Sequence, residues 1–189
     1  MSKKKIIRIG VIALILCFAF TMFSKIVFEK QIKGLIKERI SVQVCKEKFE
    51  LEELIAEIDE NKDIHGIHRN ESGDGIIPYK DLNNPLIEKE FKKFHLIMIC
   101  NGLDNLENQY VAFHVYPYAD LLWEGFGYGF YYSSSDEPVD VYHGGEKCEL
   151  EFEGSIGFYD HYHYETNRIT TNWWYYESTM TTDYIAGKR

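Results

Sequence analysis

The period of the apolar pattern changes once along this chain, at Phe94, and that change sets the order of its elements. Before Phe94, apolar residues recur three and four positions apart: Phe28, Ile32, Leu35, Ile36 and Ile40, then Phe49, Leu51, Leu54, Ile55 and Ile58. That spacing keeps side chains on one face of an α-helix. After Phe94 the repeat is two, in short runs closed by glycine, asparagine or proline, which is the signature of strands joined by tight turns. Helices first and strands after predict an α+β fold.

The helical part divides by its local signals. Residues 28–40 predict a juxtamembrane helix and residues 49–58 a surface helix on the folded domain. A second short helix follows from Asn84 as N-cap, Pro85 at the first helical position, Glu88 in the first turn and Lys92-Lys93 near the end. The strand part begins with His95 to Cys100, turns at Asn101-Gly102, and continues with Gln109 to Tyr116, Phe126 to Tyr132, Lys147 to Glu153, Ile156 to Tyr164 and Ile169 to Ser178. These segments predict an antiparallel meander of about five to six strands.

The N-terminus is basic and then apolar: Lys3, Lys4, Lys5 and Arg8 precede fifteen uncharged residues, Ile9 to Phe23. As a helix those fifteen span about 22 Å, short of a hydrocarbon core about 30 Å thick. Counting on to Ile26-Val27-Phe28, with Lys25 reaching for the headgroups, gives a membrane-spanning length. Small-residue pairs for cleavage (Ala19 with Thr21, Cys17 with Ala19) lie inside the apolar run, which favours an uncleaved signal anchor over a removed signal peptide. Cys17, between Leu16 and Phe18, fits a lipoprotein site poorly. The expected division is therefore a transmembrane helix over 1–30, a stalk over 31–48 and an extracytoplasmic α+β domain over 49–189. Positive charges flank the span on both sides, Lys30, Lys33, Lys37 and Arg39 following it, so orientation rests on the cost of translocating the charged N-terminal tail. That places the domain outside the cell membrane.

After Lys33 the chain carries 14 basic against 29 acidic residues, a net −15. Nucleic acid and anionic lipid both require a basic footprint and are poor partners for it. Beyond the N-terminal segment the cysteines are Cys45, Cys100 and Cys148, an odd number without a C-x-x-C pair, so a disulfide framework is not expected. Cys100 and Cys148 sit in alternating runs and read as small buried hydrophobes, with a single bridge between them left open.

Four places carry candidate chemistry. In Phe126-Gly-Tyr-Gly-Phe130 every second residue is aromatic and those between have no side chain, so something bulky is expected against the glycine face, Trp173 to Tyr176 being the obvious cover. Trp123, Tyr128, Trp173 and Trp174 are the candidates for binding a ligand, such as stacking on the sugar rings of a cell wall, against the favoured reading that most of these aromatics fill the core of the sheet. His161, His163 and Glu165 alternate onto one strand face, a donor set that suits zinc, although a solvated polar face alternates in the same way. Asn70 to Asp81 partly follows a calcium loop, with Gly75 sixth and Ile77 eighth, but offers Asn at position one, Ser72 at three and Asp at twelve. No G-x-S-x-G, S-x-x-K or local cysteine signature accompanies the scattered histidines, and nothing visible argues for an enzyme.

The segments Gly127-Tyr-Gly-Phe-Tyr-Tyr-Ser133 with Asp136-Glu-Pro138, and Trp174-Tyr-Tyr-Glu177, resemble small membrane-anchored or secreted proteins of Gram-positive bacteria. The resemblance covers the last half of the chain and implies a fold and an address, with no activity to carry over. The expected function is non-catalytic binding of a protein or wall component by the acidic, aromatic-rich domain. An immunity or inhibitor protein against a basic toxin or enzyme, and a cell-envelope hydrolase, are the alternatives.

Overall fold

A computed structural model describes residues 3–60, 65–70, 75–103, 106–115, 126–156 and 159–181. Within those ranges the described side chains exclude 3–19, 21–23, 25–26, 28–30, 126, 146, 155–156, 159–161 and 180–181. Two compact units meet between Arg39 and Ile40. Unit Met1–Arg39 is helical from Lys3, and unit Ile40–Arg189 holds all the strands.

Helix α1 runs without interruption over Lys3–Glu60, so the separate helices expected at 28–40 and 49–58 are parts of one element. Nothing between Ile40 and Phe49 stops a helix, since that stretch contains neither proline nor glycine. Ile40, Val44, Leu51, Leu54, Ile55 and Ile58 are its buried positions in the second unit, and the stripe passes through Glu47. Val44, expected in a stalk, is fully buried. No helix among the described residues is long and apolar enough to cross a membrane. The transmembrane helix expected over 1–30 is thus not an element of the described fold, and most side chains of that segment lie outside the described residues.

Helix α2, Pro85–Phe94, forms where its capping signals place it. Asn84 accepts from the backbone N–H of Leu86 at 2.9 Å and of Ile87 at 3.2 Å, and His95 closes the helix in the left-handed region. The same Asn84 donates Nδ2 to Glu57 on α1 at 2.6 Å, which fixes the start of α2 against α1.

The strands number more than the expected five to six and do not form a simple meander. Among the described residues one sheet contains eight strands in the order β2-β1-β3-β4-β5-β10-β9-β8. They are β1 Gly66–His68, β2 Ile76–Pro78, β3 Leu96–Leu103, β4 Gln109–Val115, β5 Phe126–Ser133, β8 Glu151–Ile156, β9 Tyr159–Thr170 and β10 Trp173–Thr181. Neighbours are antiparallel except β1 and β2, which are parallel. A separate two-stranded piece, β6 Val139–Asp140 and β7 Glu146–Lys147, interrupts the main sheet's chain order. The chain makes one meander, β3-β4-β5, and then a second, β8-β9-β10, whose last strand returns to pair with β5.

Alternation along these strands separates two faces. One carries Ile99, Phe113, Phe130, Trp173 and Tyr175, with Phe94 of α2 packed 4.7 Å from the Phe130 ring. The other carries Cys100, Ala112, Tyr131, Trp174, Tyr176, Tyr164 and Tyr162, and the β6–β7 segment supplies Val139, Tyr142 and Cys148 against them. The two faces solve burial differently. The helical side is mainly hydrocarbon, whereas on the second side phenol hydroxyls need partners and find them: Tyr131 Oη shares a hydrogen bond with Thr166 at 2.9 Å and accepts from Val139 N–H, and Tyr164 Oη donates to the Val139 carbonyl. The described cysteines are free, and burial pushes the Cys100 and Cys148 thiols up to about 11 and about 12.

Candidate functional site

Packing accounts for the described aromatic candidates. Tyr128, Trp173 and Trp174 expose 3, 0 and 6% of their surface. Trp173 lies 5.9 Å from Phe113 and 6.1 Å from Phe130, and Trp174 stacks on Tyr131 while the Arg168 guanidinium sits over its ring at 5.9 Å. None of the three offers a ring face on which a sugar could stack. Trp123 lies outside the described residues. The glycine face is covered as the strand pattern implies, by Tyr176 over Gly129 and by Tyr142 and Ser178 over Gly127.

Of the calcium-like segment, residues 71–74 lie outside the described residues. Its second half is strand β2 followed by a 3-10 turn, Tyr79–Leu82, in place of the exiting helix that a calcium loop needs.

The His161–His163–Glu165 motif falls on β9, and register carries its meaning beyond zinc. Glu165 stands directly opposite Glu151 on β8 and directly opposite Glu177 on β10. In the adjoining row His163 stands between Glu153 and Thr179, its Nδ1 3.8 Å from a Glu153 oxygen. Three glutamates therefore form a row across three neighbouring strands, with a fourth beside them, on the face that elsewhere carries Tyr175 and Phe130. The side chain of His161 lies outside the described residues. Among the described residues, His163 and Glu165 do not join any group of three potential metal ligands.

The row is held in place by its neighbours. Asn167 Nδ2 donates to Glu165 at 2.8 Å and Tyr175 Oη donates to Glu177 at 3.2 Å. Burial, followed by the Glu177 carboxylate, pushes the Tyr175 phenol well above its usual range, so it remains a donor. Glu151 and Glu153 are exposed, while His163, Glu165 and Glu177 are half-buried. Directly opposed like charges on adjacent strands are unfavourable to pairing. The arrangement thus sets like charges opposite one another and concentrates negative charge at one end of one face.

A second polar centre, missed in the sequence, lies over the tyrosine face. Asp140, almost fully buried, accepts at Oδ1 from Tyr162 Oη at 2.7 Å and from the N–H groups of Tyr142 and His143, and its Oδ2 meets His143 Nδ1 at 2.7 Å. Gly144 and Gly145, both at positive φ, complete the turn. Aspartate holding an imidazole in this way is how a general base is oriented. The nearby Cys148 thiol is raised and stays protonated at neutral pH, the reverse of an activated nucleophile. The signal in the sequence was Asp-x-x-His-Gly-Gly, a turn motif whose partner Tyr162 lies 22 residues away.

Compared with known proteins, the chain matches no family model, no curated protein and no solved structure.

Proposed function

We propose that the domain is a non-catalytic binding module for a basic protein, which it engages through the acidic end of its sheet. The observation that carries this reading is the direct register of Glu151, Glu165 and Glu177 across β8, β9 and β10. Like charges set opposite one another repel, and a cationic surface docked over them offsets that repulsion. Lysine and arginine side chains spaced along an extended partner would meet carboxylates spaced by about 4.8 Å, the distance between strands. The net −15 after Lys33 adds long-range steering toward such a partner and away from polyanions. An inhibitor of a basic toxin or enzyme is one form this binding could take.

Binding of the full chain to a lysine-rich peptide, measured against an acidic peptide of the same length at several salt concentrations, tests the proposal. The expected result is selective, salt-sensitive binding that weakens at least tenfold in the E151Q/E165Q/E177Q variant. Equal binding by that variant, or no preference for the basic peptide, would refute it.

A further inference from the structure

Glu90 on α2 is fully buried, yet among the described residues neither of its carboxylate oxygens has a hydrogen-bond partner. A buried carboxylate without a donor is costly and calls for an ion, a water or a proton. Its surroundings favour an ion. Glu47 and Glu50, one helical turn apart on α1, bring oxygens to within 4.8 Å of one another and of Glu90. A hard divalent cation holds its oxygens at about 2.0–2.6 Å, so oxygens bound to one ion lie about 3–5 Å apart, and this trio fits.

The cations in place are lysines. Lys93 Nζ stands 2.7 Å from Glu47 Oε2 but 3.7 Å from Glu90 Oε1, and Lys89 pairs with Glu50 while standing 3.8 Å from Glu90. Gln43 Nε2 donates to the remaining Glu47 oxygen at 3.1 Å. Two ammonium groups thus face three carboxylates, and the carboxylate left over is the one without a hydrogen bond. The acids respond oppositely: the Lys93 hydrogen bond holds the Glu47 carboxyl below its usual range, and burial pushes the Glu90 carboxyl above it. Lys89 and Lys93 keep 44 and 26% of their side chains exposed, so both can swing into water. Of the trio, Glu50 also borders an open cleft of about 540 Å³, lined with Glu53, Glu57 and Lys89.

We propose that Glu47, Glu50 and Glu90 bind one divalent cation of the oxygen-seeking class, Mg²⁺, Mn²⁺ or Ca²⁺, which displaces the Lys93 ammonium and clamps α2 onto α1. Three carboxylates completed by water suit such an ion, and the absence of sulfur and imidazole from the trio disfavours zinc. This site is separate from the acidic sheet end and stands or falls independently of it.

Titration of Mn²⁺ into the chelator-treated full chain, read by calorimetry and by the manganese paramagnetic signal, tests the site. One ion per chain is expected, with a rise in melting temperature and competition by Mg²⁺ or Ca²⁺. E90Q and the more exposed E50Q should each weaken binding at least tenfold, and K93M, which removes the competing ammonium, should strengthen it. Absence of binding at millimolar cation would overturn the proposal, as would undiminished binding by E50Q, which would place the ion elsewhere. Binding abolished by K93M in a folded protein would also overturn it, because the lysine would then be part of the site and not its competitor.

Discussion

Replacing Gly129 by alanine isolates what the bare strip of β5 is for. Gly129 pairs with His114 on β4 and with Tyr176 on β10. A Cβ there would collide with the Phe113 carbonyl oxygen and lie 2.8 and 2.9 Å from Tyr176 Oη and Cε1. The backbone is extended and not at positive φ, so alanine is conformationally acceptable, and its effect on the unfolded chain favours folding by about 0.4–1 kcal/mol. Overpacking typically costs about 1–3 kcal/mol. Here the struck atom belongs to a neighbouring strand's backbone, which moves only by opening the ladder between β4 and β5. The top of that range applies, and with the unfolded-state gain taken off the expected net loss is about 2–2.6 kcal/mol, or roughly 4–10 °C in melting temperature for a chain of this size. Gly127→Ala is the internal control, because its Cβ meets side-chain ends, Tyr142 Oη and Ser178 Oγ, which can turn aside. Its loss should stay near or below about 1 kcal/mol. Urea unfolding followed by tryptophan fluorescence and circular dichroism measures both, with the slope m unchanged. If G129A were as stable as G127A, the close cover of β5 by Phe113 and Tyr176 would be wrong.

Two further perturbations probe other parts of the fold. His114 is held at about 4 against a usual 6.5 by burial, so between those values the unfolded chain takes up a proton that the folded chain refuses. Stability should therefore fall as pH drops from about 6.5 to 4, by up to about 3 kcal/mol, and His114→Gln, which still offers an acceptor to Tyr176, should lose this part of the slope in urea unfolding at several pH values. Asn84→Ala removes the α2 cap and the bond to Glu57, and should cost about 1–2 kcal/mol in the same assay; a loss below a few tenths would mean that the cap is dispensable.

What the sequence made readable was whatever its local chemistry controls. Helix α2 was visible because Asn84, Pro85 and Lys92-Lys93 act within one or two turns. The cover over Gly127 and Gly129 was visible because alternation alone says which face lacks side chains. The continuity of α1 was not, since Glu47 interrupts the apolar stripe and reads as a gap. It is a stripe position nonetheless, because Lys93, far along the chain, supplies its counter-charge. Strands β1 and β2, three residues each, are too short to show a period.

The acidic row shows where local reading ends. Alternation put His163 and Glu165 on one face, and that strand alone favours a solvated polar face over a zinc site. The deciding information lies in which strands flank β9, and in a register that a one-residue slip would invert. Glu151 opens β8 and Glu177 lies in the middle of β10, and alternation within each strand does not say which acids will stand opposite one another. With β8 and β10 in place, the residues beside Glu165 are two more carboxylates. Among the described residues His163 and Glu165 join no group of three potential metal ligands, whereas Glu151, Glu165 and Glu177 stand in register across three strands, and it is this row that supports the proposal of a basic partner.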